Sequence, residues 1–142
     1  LTDHDFVGAF ERCEIANDAF HHRDHVRLAW IYLRQMSLID ALVRFTESLK
    51  RFANHNGHPE LYHETITWAY LLLIHERMER NPVDDFAKFE TANSDLFTWK
   101  PSILNRYYDQ ETLDSPLAKR TFLMPPRPDI RNSSLTSTKN FV

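Results

Sequence analysis

The side chains best equipped for chemistry in this chain are histidines, and they fall in two short stretches. The first is His21-His22-Arg23-Asp24-His25; the second is His63-Glu64-Thr65-Ile66-Thr67, with His55 and His58 just ahead of it. Helix positions three or four apart share a side, so His22 with His25, or His21 with His25, could chelate one ion. A first-row metal takes three or four ligands, and helical bundles assemble such sites from side chains projecting inward from separate helices. His22 and His25 from one helix and His63 from another supply three, leaving a position for water or substrate. Nitrogen ligands suit zinc, copper, iron or nickel, and recruiting Glu64 or Asp24 would give a two-histidine, one-carboxylate set that favours iron. A divalent transition metal, zinc or iron, is the cofactor expected on this reading.

Other roles compete for the same residues. Histidines at helix starts also cap, bond to main-chain groups or face water. His55 and His58 read as solvated helix-end residues, and His4 and His75 as incidental. Glu64 is either a base or fourth ligand, or half of a salt bridge with Arg23 or Arg27. Thr65 and Thr67 are branched residues in a helix, and a hydrogen bond to substrate, to a histidine or to the previous turn would justify one of them. Thr67 joins Glu64 as a candidate catalytic residue. A second histidine four residues after His63 would make the zinc-protease motif, but Thr67 stands there, so that reading fails. The aromatic residues, Trp30, Trp68 and Trp99 among them, are expected mainly to fill core volume. Cys13 is expected in a small apolar role.

The elements that must position these residues read as helices. Thr2 is a plausible N-cap for a first helix carrying Phe6, Phe10 and Cys13. A second is predicted from about Ala19 to Met36, with Asp18 as cap and Val26, Ala29, Trp30 and Leu33 as its apolar stripe. Ser37 caps a third, in which Leu38, Ala41, Leu42, Phe45, Leu49 and Phe52 recur at helical spacing. Asn56-Gly57 ends it, and Pro59 suits the first turn of a fourth beginning near Glu60. From Leu61 to Met78 this fourth helix is apolar almost all round, as a central enclosed helix would be. Asn81-Pro82 breaks it. Shorter helices are predicted over Asp84 to Ala92, after Pro101, and from Pro116 to Phe122 with Ser115 as cap.

Composition narrows the classes further. The chain has 142 residues, 42% hydrophobic and 26% charged, which suits one folded domain. Two glycines, Gly8 and Gly57, form no phosphate-binding loop and provide few hairpin turns. One cysteine allows no internal disulfide and suits a reducing cytoplasm. No apolar run reaches the roughly 18 to 20 residues that span a bilayer, and the first residues lack the pattern of a secretory signal. The net charge of −3 provides no cationic field for nucleic acid. Residues 125–142, rich in Pro, Ser and Thr, carry +2, which leaves −5 on the first 124 and points to cationic or neutral partners for the body.

The strings FHHRDHVRLAWIYL, Phe20 to Leu33, and LYHETITWAY, Leu61 to Tyr70, resemble a family of small bacterial all-helical proteins without an established activity. The resemblance extends to about Pro128, with Phe122 to Pro125 similar to that family's closing segment. It implies that His22, His25, His63, Glu64, Thr65 and Thr67 belong to a common site, and it implies no reaction. The expectation is therefore an all-α, single-domain irregular helical bundle of about five to seven helices over residues 1–124, with an extended or disordered tail over 125–142. Its expected function is that of a cytoplasmic metal-dependent enzyme acting on a small-molecule substrate, with His22, His25 and His63 on the metal. The competing reading is a non-catalytic helical domain that binds a small molecule or forms a homodimer; neither reading involves nucleic acid or membrane.

Overall fold

Short polar side chains start most of the helices. A computed structural model describes residues 1–126, so all but the first two residues of the expected tail lie outside the described residues. Seven α-helices and no strand occur among those residues: α1 (Asp3–Glu11), α2 (His22–Gln35), α3 (Leu38–His55), α4 (Glu64–Arg80), α5 (Phe86–Ala92), α6 (Gln110–Leu113) and α7 (Pro116–Arg120). Thr2, Ser37, Asp85, Asp109 and Ser115 each accept a main-chain amide from the first turn of α1, α3, α5, α6 and α7. The expected caps Thr2, Ser37 and Ser115 thus act as predicted.

Two helix starts differ from expectation, and both carry the histidines. Helix α2 does not begin at Ala19. The chain makes a 3₁₀ turn at Asn17–Ala19, buries Phe20, and enters α2 at His22. The Asp24 carboxylate accepts the His21 amide at 2.9 Å and fixes the start there, as an acidic third residue does in a capping box. Helix α4 likewise does not grow from Pro59. Pro59–Leu61 closes only a 3₁₀ turn, and α4 begins at Glu64, where Nδ1 of His63 accepts the Ile66 amide at 3.1 Å. Gly57 takes the left-handed conformation expected of it, at φ 75°.

Helix α4 packs against α2, α3 and α7, while α3 also holds α2 and α1. Its buried residues are Thr65, Thr67, Ala69, Tyr70, Leu71 and Ile74. The expected full enclosure is not found: Ile66, Trp68, Leu72 and Leu73 remain half-buried. Ile66 borders an open cavity, and Trp68 is covered on one side by the stacked ring of Phe122 at 5.5 Å. Aromatic rings from α1, α3 and the segment before α2 meet beside this cavity, where Phe10 lies 4.4 Å from Phe20 and 4.8 Å from Phe52 between ring centroids. Beside it, Glu11 accepts two bonds from Arg44 and one from the buried Tyr32 hydroxyl, tying α1 to α3 and α2. The Arg44 guanidinium holds the Glu11 carboxyl below its ordinary range. Cys13 follows α1 in the left-handed region at φ 58°, half-buried and unpaired.

The end of the described chain is fastened to the start of α4. Thr65, fully buried, donates its hydroxyl to the Thr121 carbonyl at 2.8 Å and accepts the Leu123 amide at 3.1 Å. Its branched side chain is thus explained by a structural bond. The Tyr108 hydroxyl adds a bond to the Leu123 carbonyl at 2.7 Å. No helix among the described residues is long and apolar enough to cross a membrane. Replacing Thr65 with Val keeps the shape but strands one buried donor and one acceptor, an expected loss of about 1–3 kcal/mol in chemical unfolding, with Thr65→Ser close to wild type.

Candidate functional site

Helices α2, α3 and α4 do not close completely against one another. Between them lies a cavity of about 520 Å³, within the size range of small-molecule sites. Phe20, Val26, Phe45, Leu49, Phe52, Ile66 and Ile74 give it apolar walls, and Tyr70 and Trp99 add aromatic ones. His22, His25, His63 and Thr67 line the same cavity, so four of the five predicted site residues meet in one place. Glu64 does not line it.

Main-chain carbonyls hold all three rings. The ring of His22 bonds through Nε2 to the Leu96 carbonyl at 2.8 Å, His25 through Nδ1 to the His21 carbonyl at 3.1 Å, and His63 through Nε2 to the Leu113 carbonyl at 2.6 Å. A carbonyl oxygen can only accept, so each of these ring nitrogens carries the proton. In a neutral ring the other nitrogen then presents a lone pair. For His63 that lone pair is already used, because Nδ1 accepts the Ile66 amide to cap α4. Nδ1 of His22 and Nε2 of His25 bond to no other group among the described residues. Both are reachable, since the one fully enclosed side-chain nitrogen or oxygen without a partner there is Trp30 Nε1.

The expected three-imidazole metal set is therefore not assembled in this arrangement. His63 has no nitrogen left for an ion, and among the described residues no group of three or more His, Cys, Asp or Glu is arranged to hold one. Glu64 does not replace it. At the first position of α4 it accepts the Tyr62 hydroxyl at 2.5 Å. The alternative ion pair is not formed either, as Arg23 pairs with Glu90 at 2.8 Å and Arg27 with Asp3 at 3.0 Å. Thr67 is buried in the cavity wall, with its hydroxyl against the Tyr62 phenol. His55 is exposed as expected. His58 is exposed too, pairs with Glu60 at 3.2 Å and reaches the cavity rim.

Burial sets the electrostatics. Removal from water pushes the His25 ring down to about 4, a shift that the His21 carbonyl opposes and the neighbouring charge of His22 reinforces. Burial also lowers His22, against the pull of the Leu96 carbonyl. Phe20 packs on His25 at 4.4 Å, while Tyr70 and Trp99 pack on His22 at 4.9 and 5.0 Å. Trp99 is 46% exposed, which places it at the mouth rather than in the core expected of it. Tyr70 is itself committed, its hydroxyl 2.7 Å from that of Ser102, and burial raises it.

The sequence contained the histidines but not their anchors. Leu96 and Leu113 contribute only main-chain oxygens, which no residue type announces. Trp99 was visible as an aromatic residue before Pro101, yet nothing local placed it over His22.

The sign of the His25 shift fixes a pH effect. The unfolded ring takes up its proton near 6.5 and the folded ring only near about 4, so the unfolded state binds more protons between these values. Stability is expected to be intact above pH 6.5 and to fall as pH drops toward about 4, by roughly 2–3 kcal/mol in total from this group. Urea unfolding across this interval should show the slope in wild type and a flatter one in His25→Phe. Neither a protein-family model, nor a curated protein, nor a solved structure matches this chain.

Proposed function

We propose that this chain is a small-molecule-binding domain whose ligand occupies the cavity between α2, α3 and α4, with His25 and His22 as the groups that contact its polar part. The observation that carries the reading is the pairing of two unengaged imidazole lone pairs with apolar and aromatic walls. Ligand sites commonly combine such walls with a few fixed polar groups. The carbonyl bonds hold both rings in one tautomer, so little orientational freedom is lost when a ligand binds.

Binding is favoured over catalysis by the state of His25. A general base works best when its pKa lies near the working pH, and a ring held at about 4 is a weak base at neutrality. It accepts a hydrogen bond well and removes a proton poorly. The metal-dependent reading retains one favourable feature, since metal-binding imidazoles also anchor their second nitrogen on carbonyls. It lacks a third donor among the described residues, and it is distinguished by metal analysis of protein purified without a histidine tag: near-stoichiometric zinc or iron, lost in His22→Ala, would favour it over plain binding.

A small-molecule screen by thermal unfolding tests the proposal. A true ligand at about 100 times its Kd should stabilise wild type by about 2.7 kcal/mol, a rise of roughly 8–11 °C for a domain of this size. Ala53→Phe, which places a ring in the cavity from α3, should remain folded and lose that response. A response unchanged by Ala53→Phe would locate binding elsewhere and defeat the reading.

A further inference from the structure

We infer that the cavity selects an uncharged, ring-containing molecule that offers a hydroxyl group as a hydrogen-bond donor. The inference rests on the binding role proposed above and specifies its ligand class. It follows from the polar groups that the cavity has left to offer.

A cationic ligand finds no counter-charge there. No Asp or Glu lines the cavity among the described residues, although the chain as a whole is acidic. The two imidazole lone pairs can accept from an ammonium, but burying its charge with no carboxylate to offset it costs more than burying a neutral donor. An anionic ligand fares no better in the interior. The free nitrogens of His22 and His25 are lone-pair acceptors, which repel a carboxylate or phosphate oxygen rather than bonding to it. Lys119 is the one lysine or arginine among the lining residues. It is exposed at the rim and donates to the Glu60 carbonyl at 3.1 Å; the Glu60 carboxyl, lowered first by its own main-chain amide and by His58, also feels the Lys119 charge. His58 is paired with that same carboxylate. The positive charge at the mouth is therefore offset locally.

Three other polar groups of the wall are occupied. The Tyr70 hydroxyl bonds to Ser102, the Tyr62 hydroxyl to Glu64, and both nitrogens of His63 have partners. Two imidazole acceptors are thus left free, beside the N–H groups of Asn17, Asn56 and Trp99, which also line the cavity. A hydroxyl complements this arrangement by donating to His25 Nε2 or His22 Nδ1. Phe20, Phe45, Phe52 and Trp99 supply faces for a flat apolar body.

Three probes of one shape separate the possibilities: 2-naphthol, naphthalene and 2-naphthoate, titrated into the full chain at neutral pH and followed by the indole and histidine-ring nitrogen resonances. The expected order places 2-naphthol about tenfold tighter than naphthalene, the effect of one neutral hydrogen bond, and 2-naphthoate at least about tenfold weaker than 2-naphthol. Naphthol should also move the resonance of an unprotonated ring nitrogen of His25 or His22, whereas naphthalene should not. In the double variant His22→Phe, His25→Phe, naphthalene should still bind, which reports an intact cavity, and naphthol should lose its advantage. Tighter binding of 2-naphthoate, or equal binding of all three, overturns the selectivity while leaving a small-molecule site in place. A naphthol advantage that survives the double variant, or that leaves every ring nitrogen unmoved in wild type, overturns it as well. Binding by none of the three overturns both this inference and the binding role beneath it.

Discussion

The bond from a histidine N–H to a distant main-chain carbonyl is the interaction that ties the later part of the chain to the bundle. Nε2 of His22 reaches the carbonyl of Leu96, and Nε2 of His63 reaches that of Leu113, so the 3₁₀ turn at Ser94–Leu96 and the end of α6 are drawn onto α2 and α4. Each bond also fixes a tautomer. His63 shows both effects at once: one nitrogen holds the segment before α7, and the other caps α4. Thr65, two residues on, fastens the chain at Thr121 and Leu123. The first turn of α4 therefore organises both its own helix and the closing segment.

This arrangement divides the histidines by role. His63 spends its hydrogen-bonding capacity on structure, whereas His22 and His25 each keep one lone pair. Apolar surroundings favour the neutral ring, because charging it would require desolvating a cation with no carboxylate from the described residues in the cavity wall. The site is consequently suited to recognition by hydrogen-bond acceptance. A neutral acceptor in an apolar space interacts strongly with a matching donor, since little water competes for it.

Much of the bundle was legible from local chemistry. The Ser37 cap and the recurring Ala41, Phe45, Leu49 and Phe52 defined α3, and Asn81-Pro82 marked the end of α4 near its observed limit at Arg80. Errors arose where a side chain outside the helix competed with propensity. Asp24 moved the start of α2 from Ala19 to His22, and an imidazole cap moved α4 past Pro59. Histidine is an uncommon cap, so periodicity alone extended α4 backwards and put His63 on a helical face that it does not occupy. Glu64 and Thr67 are expected to share one site, yet Glu64 bonds to Tyr62 while Thr67 reaches the cavity wall.

The sequence by itself determined an all-helical chain and the presence of two histidine-bearing helix starts, because capping, periodicity and helix breaking act over a few residues. Tertiary structure alone decided that these starts border one cavity, that His63 has no nitrogen to spare, and that His22 and His25 do. Those outcomes depend on which main-chain oxygens lie within bonding distance after packing. Carbonyls are the same in every residue, so their positions follow from the path of the folded chain rather than from the identity of any side chain.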